Sequence, residues 1–135
     1  WISRRDVQKR RLLNDDKLIA QITAHMGKPR VLELGNHSLV EQAKALAEAK
    51  VVFAEQGQSL NLLPMLKDKT VVMFDAGSYR IIQEWNEAFF VTGTIAGNRM
   101  VRLFSGTLPD KDSNWTHSVE TFEHELKAIT AWLPH

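Results

Sequence analysis

Apolar residues along this chain change their spacing from one segment to the next, alternating helix-like and strand-like patterns. Leu18, Ile19, Ile22 and Met26 share one face of a 3.6-residue repeat. Asn14 is placed to cap that helix, Asp15 and Asp16 complement its dipole, and Gly27 with Pro29 predicts its end. Residues 30–34 read as a short buried strand closed by a turn at Gly35-Asn36. Ser38 and Glu41 have the spacing of a capping box and open a helix that runs to about Lys50. Residues 51–54 form a second strand, residues 60–66 a short helix with Pro64 in its first turns, and residues 70–74 a third strand. A helix over residues 79–89 is expected to bury Ile81, Ile82, Trp85 and Phe89. Residues 91–95 and 100–104 flank Ala96-Gly97-Asn98-Arg99 and predict an edge hairpin. A polar loop over residues 108–114 precedes a last helix with Val119, Phe122, Leu126, Ile129 and Leu133 on one stripe.

Strands separated by helices imply βαβ units, and right-handed crossovers then place helices on both faces of the sheet. The expectation is an α/β, Rossmann-like three-layer domain with a largely parallel sheet, formed by residues 1–135 as one unit. Ligands of such sheets bind at the carboxyl ends of the strands. The turn at Gly35-Asn36, the loop 55–59 and residues 75–78 all fall there.

Composition narrows the chemistry. The chain has no cysteine, which removes disulfides, thiolate metal sites and a Cys nucleophile. A net charge of +1 argues against nucleic acid as a partner, and no apolar run is long enough to cross a bilayer. Charge is nevertheless uneven: Arg4, Arg5, Lys9, Arg10 and Arg11 crowd the start with only Asp6 against them, which predicts a local anion site. Gly57 lets a backbone approach closely where the second strand runs into a helix, so Gly57, Gln58 and Ser59 are placed to present amides to phosphate. The segment Arg30-Val31-Leu32-Glu33-Leu34-Gly35 has the start of a methyltransferase motif but lacks its further glycines. His117, Glu120 and His124 read as exposed decoration of one helix face rather than a metal site.

The order Ile2-Ser3-Arg4, then Arg10-Arg11-Leu12-Leu13-Asn14, then Glu41-Gln42, then Val51-Val52-Phe53-Ala54 running into Gln56-Gly57-Gln58 resembles glycosyltransferase family 61, the capsular polysaccharide biosynthesis type. A weaker resemblance continues at Asn114-Trp115-Thr116. Gln56 stands where the family has the His of a His-Gly-Ala loop, and Asn61 comes one place early.

The resemblance implies a cytoplasmic enzyme, or one peripheral at the inner membrane, that takes a nucleotide-diphosphate sugar and a glycan acceptor. This chain would then be the C-terminal, donor-binding half of a two-domain GT-B enzyme, a piece of a longer protein. The donor would meet Arg4, Arg11, Asn14, Glu41, Gln56, Gly57, Gln58 and Ser59, with Glu41 near the ribose. Inversion at the anomeric carbon would need no metal and no other cofactor. The catalytic base would come from the other domain, so this part alone would not catalyse. A degenerate binding module and a methyltransferase-like domain are the alternative readings.

Overall fold

The computed structural model describes residues 1–55, 57–76, 80–104 and 106–133, and for residues 58, 59 and 80–86 only the backbone. Five strands among them form one all-parallel sheet: β1 Ile2–Ser3, β2 Leu32–Glu33, β3 Val51–Glu55, β4 Thr70–Phe74 and β5 Arg99–Leu103, in the order β2-β1-β3-β4-β5. The helices are α1 Asp15–Met26, α2 Leu39–Glu48, α3 Arg80–Ile95 and α4 Val119–Trp132, with a 3-10 helix, Gln58–Met65, between β3 and β4.

The period-2 alternation of the strands separates two cores. Trp1, Phe53, Val72 and Phe74 point to one face, where Leu18 and Ile22 of α1 and Phe122, Leu126 and Ile129 of α4 cover them. Ile2, Val52, Ala54, Val71 and Met73 point to the other, beneath Leu46 of α2, Leu60 and Leu63 of the 3-10 helix and Phe89 of α3. Three layers result, as the alternation of patterns predicts. The chain first moves outward from β1 to β2, then returns past β1 and continues through β3, β4 and β5. The direction reverses between β1 and β3, and a doubly wound sheet opens its ligand crevice at that point.

Four expectations need correction. β1 was not anticipated, yet it occupies the interior position between β2 and β3. The edge hairpin does not form: residues 91–95 complete α3, and β5 pairs parallel to β4, not antiparallel to a neighbour in the chain. Gly97, at φ 89°, ends the helix, and the amides of Ala96, Gly97 and Asn98 close onto the carbonyls of Thr92, Thr94 and Gly93. The apparent hairpin turn is therefore a helix C-terminus. Pro64 lies near the end of the 3-10 helix, not in its first turns. The strand expected over residues 30–34 is shortened, because residues 34–36 tighten into a 3-10 turn. Tyr79 and the side chains of Ile81, Ile82 and Trp85 lie outside the described residues.

Candidate functional site at the reversal of strand order

β1 delivers Arg4 to the crevice, and β3 delivers Glu55 and Gly57 beside it. Gly57 has φ 140°, and a Cβ there would stand 2.5 Å from Nη1 of Arg4. That φ strains any residue but glycine, and the guanidinium lies directly on the loop that opens the 3-10 helix. Gly35, at the end of β2, is a second close approach: its amide donates to Oδ2 of Asp6 at 3.2 Å, where a Cβ would clash.

The basic segment between β1 and α1 is a folded loop, not a loose tail. Nε of Arg4 donates back to the carbonyl of Arg10 at 3.2 Å. The Arg11 amide donates to Oδ1 of Asn114 at 3.0 Å, and the Trp115 amide to the carbonyl of Arg11 at 2.9 Å. Asn114 and Trp115, the weakly resembling positions near the C-terminus, thus brace the arginine segment. Glu55 is 1% exposed and closes the loop from below, Oε2 accepting from the Leu12 amide at 2.9 Å and Oε1 from the Arg4 amide at 3.4 Å.

The five basic residues separate by their partners. Arg5 forks onto Asp15 at the start of α1, at 2.8 and 3.1 Å, which raises its pKa and fixes it to the helix. Lys9 faces Asp112 at 3.7 Å on the surface. Among the described residues, no ion pair engages Arg10 or Arg11. Of the five, Arg4, Arg10 and Arg11 are therefore the ones without a carboxylate ion pair among the described residues.

The remaining candidates are dispersed. Asn14 makes no capping bond; its amide instead donates to the His117 carbonyl at 2.8 Å and accepts the His117 amide at 3.1 Å, joining α1 to the segment before α4. Glu41 caps α2 as its spacing predicts: Oε2 accepts the Ser38 amide at 2.7 Å, and those bonds lower the carboxyl pKa. Gln42 donates to the carbonyls of Leu34 and His37, holding the turn after β2. Gln56 and the side chains of Gln58 and Ser59 lie outside the described residues, though the backbone of the 3-10 helix starts at residue 58.

His117 is not helix decoration. It precedes α4, is buried edge-on between Phe74 and Phe122, and meets Oε2 of Glu125 at 2.8 Å through Nε2. Glu120 and His124 are on α4 and exposed, and no group of three potential ligands that could hold a metal occurs among the described residues. Cavities open at the other end of the sheet. One, of about 350 Å³, is lined by Trp1, Met26, Leu46 and Phe53; another, of about 620 Å³, lies among Lys50, Lys69, Gly97 and Arg99.

Residues 1–73 match the family model Glycosyltransferase 61. The chain belongs to this family of glycosyltransferases. The matched region includes β1, the arginine loop, α1, α2, β3 and the 3-10 helix, and so contains the whole reversal point. No curated protein and no solved structure matches the chain. No helix among the described residues is long and apolar enough to cross a membrane.

Proposed function

We propose that this family 61 chain binds a nucleotide-diphosphate sugar at the reversal between β1 and β3. The observation that carries the reading is the seating of the Arg4 guanidinium on Gly57, at the start of the 3-10 helix. A diphosphate placed there would meet fork-shaped donors from Arg4 and Arg11 and the backbone amides of Gly57, Gln58 and Ser59. Asn14 would support the site from behind, and Gln56 would face it in place of the family's His. Glu41 stands on the first turn of α2 at the same end of the sheet; with Oε2 taken by Ser38, its other oxygen is the one to offer a ribose hydroxyl.

In the reaction that the family resemblance implies, an acceptor hydroxyl attacks the anomeric carbon as the bond to the diphosphate oxygen breaks, inverting the centre. The arginines and amides stabilise the negative charge that builds on the departing diphosphate, the role a divalent metal plays elsewhere. A base outside these 135 residues takes the hydroxyl proton. A GT-B partner domain would supply that base, and capsule or surface polysaccharide would be the product.

Gln56 favours one alternative, a binding module without turnover, because Gln cannot take up a proton near neutral pH as His does. Calorimetry with UDP, GDP, CDP and ADP, in magnesium and in chelator, tests the donor reading. At least one should bind equally well in both, and Arg11→Ala should weaken it by about 1.5–3 kcal/mol with little change in stability. Loss of binding in chelator, or an unaffected Arg11→Ala variant, would count against it. Turnover by the protein with its partner domain separates the enzyme from the module.

A further inference from the structure

Resting on that donor reading, we propose that Glu55 is a positioning residue: its ionised carboxylate clasps both ends of the 4–12 loop and so sets the affinity of the site for a diphosphate. Among its contacts, Oε2 accepts the Leu12 amide and Oε1 the Arg4 amide. A carboxylate accepts on both oxygens, whereas a protonated carboxyl turns one of them into a donor. The longer bond, at 3.4 Å to Arg4, is the one a proton on Oε1 would break. Arg4 is also the residue whose side chain reaches both Gly57 and the Arg10 carbonyl, so releasing its amide loosens the cation at the reversal point and the arginines beyond it.

Among the described residues, the charged groups that act on Glu55 include Asp15, from α1, and Arg4, which follows β1. Burial pushes its carboxyl up to about 7; Asp15 adds to the rise, and the two amide bonds and Arg4 oppose it. The clasp therefore closes as the pH passes upward through neutrality. Asp15 is itself held by the fork from Arg5, which ties a further basic residue to the same device. Sequence reading placed Glu55 merely at the edge of a glycine loop, since nothing in the sequence shows that two amides from residues 4 and 12 converge on it.

The test compares wild type with Glu55→Gln, which cannot ionise, using whichever of UDP, GDP, CDP or ADP binds tightest. Near pH 8 the wild type should bind about tenfold more tightly, and near pH 5.5 the gap should close to about twofold. Protonation of the ligand itself is common to both proteins and cancels in the ratio. A ratio equal at both pH values would overturn the proposal. Amide exchange in the wild type alone provides the second arm, independent of ligand and of how the variant folds: protection of the Arg4 amide should fall as the pH drops through about 7, and constant protection would overturn the clasp. If no nucleotide binds the wild type at either pH, the donor reading and the phosphate role fall together, while the exchange result still decides the clasp.

Discussion

The two ends of the sheet differ in what they bury. At the amino ends of the strands, the cavity beside α2 is lined by apolar residues that include Trp1, Ile22, Met26, Leu46 and Phe53. At the carboxyl ends a buried carboxylate, a close approach of Arg4 to Gly57 and a bond from Arg4 to the Arg10 carbonyl meet on one loop. A buried charge is costly unless other contacts compensate, and Glu55 keeps its place through bonds that order a loop. Lys69, the basic residue most conspicuous at the amino end, donates Nζ to the Ala47 carbonyl at 2.6 Å and so tethers the end of α2.

The largest effect that could break this contrast is a core truncation at the amino end. Leu46 is buried between α2 and the sheet and borders the first cavity. Leu46→Ala should cost about 2–5 kcal/mol of stability, read by denaturant unfolding, and leave nucleotide affinity unchanged. Weaker binding at unchanged stability would move the functional end of the molecule.

A smaller and oppositely placed effect concerns Glu55. Folding raises its pKa from 4.5 to about 7, so the neutral form is favoured in the native state. The stability this contributes is fully present below about pH 4.5 and is lost as the pH rises through 7. It amounts to about 3 kcal/mol between those limits. Thermal unfolding of Glu55→Gln should therefore lack this slope and approach the wild type at low pH. Parallel stability curves for the two proteins would mean that the carboxyl is not desolvated. The ionisation that tightens the loop is thus the one that weakens the fold, a trade-off expected at a binding site.

Much of this contrast was legible where local chemistry decides it. The bounds of β4, the capping box of α2 and the stripe of Phe122, Leu126 and Ile129 on α4 follow from spacing alone, whereas Leu133, expected on that stripe, is the extended residue that ends the helix. Local chemistry misled at residues 91–95, where Val, Thr and Ile resemble a strand. There the hydroxyls of Thr92 and Thr94 bond back to the carbonyls of Ala88 and Phe90, and Gly93 leaves room for Met100 to pack on the helix. Asn98, read as a turn residue, is buried and binds Leu66 and Lys69 in the connection between the 3-10 helix and β4. The two residues of β1 carry no period; only pairing with β2 and β3 makes them a strand. At the site, the crowding of arginines was visible, but not which were neutralised, since Asp15 and Asp112 reach Arg5 and Lys9 only through the fold.

Glu41 gives the smallest and finest test, because at the carboxyl end it has both a structural and a proposed ligand role. Ser38 Oγ accepts the Glu41 amide at 3.3 Å, while Glu41 accepts the Ser38 amide. Ser38→Ala removes the first bond and leaves the carboxylate in place, so it should cost about 1 kcal/mol of stability and leave nucleotide affinity as it is. Glu41→Gln keeps the size of the side chain and removes the charge, so a ribose contact would show as a several-fold loss of affinity. The pair of variants separates cap from ligand because each alters one role. If Glu41→Gln affects only stability, α2 belongs with the scaffold, and the functional end contracts to the arginine loop, Glu55 and Gly57.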